Sequence, residues 1–220
     1  LRAHMNKVYG LMAVAMVITG LVAWSIGTSP QLVGALFSNS IISLIVMFAP
    51  LGFVFFLSAR VMKMSYSAGQ LSFWLFSALM GLSLSTIFVV YTGASIANAF
   101  FTTAIAFGAM SLFGYTTKKD LSGMGRFLFM GVIGLIVAMI INWFTQSPGL
   151  EFAINVLGVL IFAGLTAYDT QNIKNTYLSI RNAPNGEEIA AKAGILGALS
   201  LYINFLNMFM FLLQFMGNRE

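Results

Sequence analysis

Seven long apolar runs alternate with short polar connections, over roughly residues 7–26, 41–58, 69–91, 96–116, 127–144, 150–171 and 194–216. Each is close to the ~20 residues that an α-helix needs to cross the hydrocarbon core of a bilayer. None shows the alternation of period two that marks a strand of an outer-membrane barrel. The pattern therefore predicts an all-α polytopic membrane protein, folded as a single seven-helix transmembrane domain over residues 1–220. Turn residues separate the runs at Thr28-Ser29-Pro30, Thr92-Gly93 and Gln146-Ser147-Pro148-Gly149. Pro50 falls inside the second run and predicts a kink there. Residues 174–193 form the longest connection and read as a mobile loop. Its Glu187 and Glu188 are suited to the first turn of the last helix, where a helix dipole favours negative charge.

Composition strengthens this reading. Hydrophobic residues make up 59% of the chain and charged residues 8%, against about 25% charged in an ordinary soluble domain. The charges are also sorted. Ten of the eleven Lys and Arg residues fall before the first run or in alternate connections: Arg2, Lys7, Arg60, Lys63, Lys118, Lys119, Arg126, Lys174, Arg181 and Lys192. Only Arg219 lies on the other side. The bias of Lys and Arg toward the cytoplasm predicts an N-terminus inside and a C-terminus outside. A six-span arrangement with one re-entrant run fits the same charges and stays open. The net charge of +5 thus belongs to residues flanking the bilayer, where they meet anionic headgroups, and calls for no nucleic-acid partner. The first residue is Leu1 rather than Met, which suggests a trimmed chain, and no cleavable leader pattern precedes the first run.

Polar residues inside the runs narrow the chemistry. Ser77, Gly81 and Ser85, and likewise Ala104 and Gly108, are spaced for close helix packing through small side chains. Asp169 differs, because it is the acidic residue placed well inside an apolar run. A carboxylate in a span costs roughly 2.5–3.5 kcal/mol on insertion scales, so it must pair or face water. Asn155, Gly158, Phe162, Thr166 and Asp169 fall within about 80° of one another at 100° per residue. The last run carries a second stripe of Ala193, Gly197, Ser200, Asn204 and Asn207. Two such faces predict a polar seam between the sixth and seventh helices, either conducting or merely hydrogen-bonded. Arg60, at the same end of the membrane as Asp169, is the cation expected to neutralise it, with snorkelling to headgroups as the alternative.

Enzymatic readings fail on missing parts, so a non-enzyme is expected. The chain has no Cys, and its single His is His4. A membrane serine protease lacks its base, an aspartyl protease its second intramembrane Asp, and a retinal protein its lysine in the last helix. No cofactor is called for. One Asp with nearby amides offers calcium only a weak, transient site, since tight sites take six to eight oxygens.

Three stretches carry a resemblance. Residues 2–9 (RAHMNKVY) through Thr19-Gly20 resemble the first span of the Bax inhibitor-1 family, the transmembrane Bax-inhibitor-motif proteins, in its bacterial branch. Residues 162–171 (FAGLTAYDTQ) resemble that family's sixth-span signature, and residues 197–207 (GALSLYINFLN) its last-helix signature. The resemblance implies seven helices with the last one central, in a bacterial inner membrane. It also implies a pH-influenced calcium leak channel built around two aspartates and an arginine. By position, Asp169 matches the first aspartate and Arg60 the arginine, whereas Asn204 stands where the family carries its second aspartate. The expected ion pathway is Asp169, Asn204, Arg60, Thr166, Asn155, Ser200 and Asn207, with calcium as the ion and the lipid bilayer as surroundings. Family members linked to protease regulation and cell-death suppression supply a rival expectation: an interaction protein acting on a membrane protease partner.

Overall fold

The structure is a computed structural model and describes residues 1–218. Seven helices in it are long and apolar enough to cross a membrane. Helices dominate because lipid offers no partner to backbone N–H and C=O groups, so each spanning segment must satisfy its own. The elements are α1 (Arg2–Gly27), α2 (Pro30–Phe37), α3 (Ser40–Arg60) with a 3-10 turn Val61–Lys63, α4 (Tyr66–Leu84), α5 (Ile87–Val90), α6 (Gly93–Thr116), α7 (Ser122–Thr145), α8 (Pro148–Ile180) and α9 (Gly186–Met216).

The helix ends are set by short polar side chains. Asn39 Oδ1 accepts from the N–H groups of Ile41 and Ile42 and opens α3. Ser65 Oγ accepts from Ala68 N and opens α4, and Pro30 occupies the first turn of α2, where a missing N–H costs nothing. Ahead of α7, Asp120 accepts from Ser122 N at 2.9 Å. Hydrogen bonds from Ser122, its side chain foremost, hold the Asp120 carboxyl below the usual carboxylate range.

Four expectations change. Residues 30–37 were left between runs but form a helix, because Pro30 starts one and the following apolar residues continue it. The third run breaks at Ser85-Thr86 into α4 and α5; Ser85 Oγ donates to Leu82 O and replaces the regular helical ladder there. The loop predicted over residues 174–193 is helical for most of its length. Polar residues carry α8 to Ile180 and α9 begins at Gly186, with Asn185 turning between them at φ 58. Glu187 and Glu188 do occupy the first turn of α9. In α6 the buried face is Ser95, Ala99, Thr103, Phe107, Ser111 and Gly114, not Ala104 and Gly108. A Cβ on Gly108 would meet open space. The small-residue spacing was real, but the packed stripe sits one position earlier, a rotation of about 100°. Pro50 is buried and lies inside α3 without ending it.

The chain forms two compact units. The first comprises residues 1–92 and 175–202, and the second residues 93–174 and 203–218. In the first, α1 lies on α4 through Gly81, whose Cα side is 2.7 Å, by an added Cβ, from Thr19 O and Val22 Cβ. Its core gathers Tyr202, Phe73, Phe76, Leu57 and Ile195, all fully buried. Tyr202 is also hydrogen-bonded: its hydroxyl lies 2.6 Å from Thr19 Oγ1. Thr19 in turn reaches Ala15 O and Ser77 O, each at 2.9 Å. A threonine has one hydroxyl proton, so Thr19 donates to those carbonyls and the Tyr202 hydroxyl donates to Thr19. In the second unit, Gly114 of α6 is pressed onto the backbone of Ala167 and Gly125 of α7 onto the ring of Tyr168. The last helix is the most buried span, with 67% of its apolar stretch inside the protein against 39% or less for the others.

Candidate functional site

The polar face of α8 exists as the spacing predicts. Asn155, Gly158, Phe162 and Thr166 are buried, and Asp169 is half-buried. All five belong to the second unit, together with Asn204 and Asn207 of α9. Within that unit α8 and α9 run antiparallel, in a register fixed by three meetings. Phe152 and Phe215 have ring centroids 5.5 Å apart. Phe162 stacks on Phe211 at 6.0 Å. At the third, Asn204 Nδ2 donates to Asp169 Oδ2 at 2.7 Å.

That bond is the centre of the site. An amide donor satisfies one carboxylate oxygen without cancelling its charge, because Asn neither ionises nor carries charge. Thr166 Oγ1 donates back to Phe162 O at 2.8 Å, and Asn207 Nδ2 to Ile203 O at 2.9 Å. Both polar groups are thereby tied to their own helices, a common way of carrying polar side chains in apolar surroundings. Asn155 differs: its Oδ1 is buried without a hydrogen-bond partner. Ser200 is half-buried, one turn before Asn204 on α9, and belongs to the first unit. Arg60 closes α3, also in the first unit, with its side chain exposed. The structure thus brings Asp169 and Asn204 into contact and places Asn155 and Thr166 on the same helix face as Asp169.

Several side chains around the pair were not anticipated. Thr170, next to Asp169, donates to Thr166 O at 2.8 Å, and its oxygen lies 3.1 Å from Ser111 Oγ on α6. Gln171, nearly buried, clamps the α6–α7 connection: its Nε2 donates to Lys119 O at 2.7 Å and its Oε1 accepts from Leu121 N at 2.9 Å. One turn on, Lys174 Nζ donates to Tyr115 O at 2.8 Å. The signal available in the sequence was the run of hydrogen-bonding residues Thr166, Asp169, Thr170, Gln171 and Lys174, which outlasts the apolar stretch by nearly a turn. Among the described residues no group of three or more His, Cys, Asp or Glu side chains could hold a metal ion.

The family described as inhibitor of apoptosis-promoting Bax1 matches residues 1–220, the whole chain. The chain belongs to the Bax inhibitor-1 family. The membership first suggested by three short motifs therefore extends from end to end. Among its relatives, the inner membrane protein YbhL of Escherichia coli K12 is 46% identical over 222 residues, covering 100% of this chain and 93% of the relative. An uncharacterized protein of Rickettsia prowazekii is 41% identical over 220 residues, covering 100% of this chain and 91% of the relative. An uncharacterized membrane protein of Streptococcus pyogenes serotype M1 is 38% identical over 165 residues, covering 75% of this chain and 70% of the relative. This Bax inhibitor-1 family member is a multi-pass integral membrane protein.

Proposed function

We propose that the protein is a passive, non-catalytic cation leak with calcium as the ion carried, its path running along the polar face of α8 past Asp169 and Asn204. The observation behind this reading is the Asp169–Asn204 hydrogen bond. Its donor is a neutral amide, so the second unit keeps a carboxylate charge within a span. A retained carboxylate draws cations and repels anions. One carboxylate with amide and hydroxyl neighbours holds calcium weakly, which suits passage better than storage. Thr166, Asn155 and Asn207 supply further oxygens along the two helices. By likeness to the Escherichia coli inner membrane protein, the setting is a bacterial inner membrane; the Lys and Arg bias puts the N-terminus in the cytoplasm and the C-terminus outside.

The test is calcium entry into liposomes that contain only the purified protein. Entry above that of protein-free liposomes, reduced in Asp169→Asn while the protein stays folded, supports the leak. Lack of flux from folded protein would overturn it and favour the second expectation, an interaction protein that modulates a membrane protease.

A further inference from the structure

The face of α8 along which the path is proposed is polar at both ends and dry in the middle. At one end Asp169 receives the amide of Asn204. At the other, Asn155 is 3% exposed and its carbonyl oxygen Oδ1 has no hydrogen-bond partner in the protein. Buried polar groups of that kind are characteristically met by water. Phe162 stands midway between the two ends, about 10 Å from each at 1.5 Å per residue. All of these residues belong to the second unit.

Between Thr166 and Asn155 the face consists of Phe162 and Gly158, and α9 sets one side chain, Phe211, against both. The rings of Phe211 and Phe162 stack with centroids 6.0 Å apart and planes 24° apart, and both are buried. Phe211 is also seated on Gly158, where an added Cβ would lie 2.5, 2.6 and 2.7 Å from three of its ring carbons. The seat exists because residue 158 carries no side chain. A place without room for one methyl carbon has none for a hydrated cation. Neither ring carries a hydrogen-bonding group with which to replace the water an ion would shed. Hydrophobic constrictions close ion pathways in this way, by excluding water.

We propose that Phe211, seated on Gly158 and stacked on Phe162, is the gate of the leak, and that cations pass only when its ring leaves the seat. The gate rests on the leak reading for the ion it controls, but the barrier itself can be tested without flux. Calcium entry into liposomes is compared for the natural protein, Phe211→Ala, Gly158→Ala and Phe205→Ala. Phe205 is a control of equal size, buried on α9 but packed on Phe100 and Phe107 of α6. Removing the Phe211 ring, or expelling it with a Cβ at residue 158, must raise entry several-fold, and Phe205→Ala must not. The double variant Gly158→Ala with Phe211→Ala must match Phe211→Ala alone, since no ring is left to expel. The second readout is a thiol. The chain has no Cys, so Asn155→Cys presents a single one. An impermeant thiol reagent supplied only at the Asp169 end of α8 must leave it untouched while Phe211 is present and label it in Phe211→Ala.

A rise in Phe205→Ala equal to that in Phe211→Ala would show general loosening of the helices and overturn the gate. Labelling of Asn155→Cys from the Asp169 end with Phe211 in place would overturn it as well. Should Phe211→Ala fail to fold, Phe211→Leu decides: it keeps an apolar side chain but cannot fill the seat, and unchanged calcium entry counts against the gate. Labelling that opens in Phe211→Ala, in a protein that passes no calcium, would sink the leak and keep Phe211 as a barrier. Calcium entry that Phe211→Ala leaves unchanged, with the thiol still protected, would sink the gate and keep the leak.

Discussion

Asn204 gives a proton of its side-chain amide to the carboxylate of Asp169 across 2.7 Å, joining α9 to α8 with one ionisable group where two could stand. Replacing Asn204 by Asp faces two carboxylates at that separation. Like charges so close cannot both ionise freely, and the pair then exchanges its protons as a coupled unit. Liposome calcium flux measured between about pH 6 and 8 should change little with pH in the natural protein and much more in Asn204→Asp. A steep natural curve left unaltered by the substitution would place the pH response on other residues.

Two glycines on α6 provide a test of the packing. Gly114 lies on the backbone of Ala167, whose Cα and carbonyl carbon are 2.8 Å from an added Cβ; Gly108 faces open space. Backbone cannot step aside as a flexible side chain can. Gly114→Ala should cost about 1–3 kcal/mol, as overpacked sites do. Gly108→Ala should be neutral or slightly stabilising, because Ala is the better helix former by roughly 0.8–1.0 kcal/mol. Thermal unfolding in detergent reads both, and equal losses would refute the assigned buried face of α6.

The buried tyrosine gives a third. Tyr202→Phe deletes the hydroxyl that donates to Thr19 and leaves the ring contacts with Phe73 and Phe76 in place. A hydrogen bond of this kind contributes about 0.5–1.5 kcal/mol net. Thr19→Val should cost more, since Tyr202 O–H then has no acceptor there. In the double variant the losses should fall short of their sum by about 0.5 kcal/mol or more. Strict additivity would argue against the bond.

Topology can be mapped with the same cysteine-free background. Asn218→Cys should react with an impermeant thiol reagent from the outside and stay protected from the cytoplasm. The prediction follows from seven spans and from Lys and Arg residues gathered in alternate connections. Reaction from the cytoplasmic side alone would return the protein to a six-span arrangement. Arg219, the basic residue counted on the outer side, lies outside the described residues.

The spans and the α8 face were legible because both follow from one periodicity and one solvent. Apolar length marks a span, and 100° per residue puts Asn155, Thr166 and Asp169 on one side of a helix. Family likeness added the one cross-helix pairing, Asp169 with Asn204. What escaped were features set by a neighbouring element. Gln171 looks like any polar residue at the end of a run until the α6–α7 connection closes over it. Tyr202 lies in the middle of the last apolar run with nothing to mark its partners, and Thr19 and Ser77, distant in sequence, bury it. The loop expected over residues 174–193 failed for a related reason. Loss of hydrophobicity marks where lipid ends, not where a helix ends.

That last distinction has a practical side. Helix α8 has 33 residues, or about 50 Å at 1.5 Å per residue, well beyond the ~30 Å of the hydrocarbon layer. It hands over to α9 through a tight turn, in which Ala183 N donates to Ile180 O and Gly186 N to Ala183 O. A short, stiff hairpin therefore rises clear of the lipid. Such a tip can accept a foreign helical domain spliced in phase with both helices. For a protein of 23.9 kDa, whose mass is mostly hidden in a micelle, that graft would supply the rigid handle that electron cryo-microscopy needs to align individual particles.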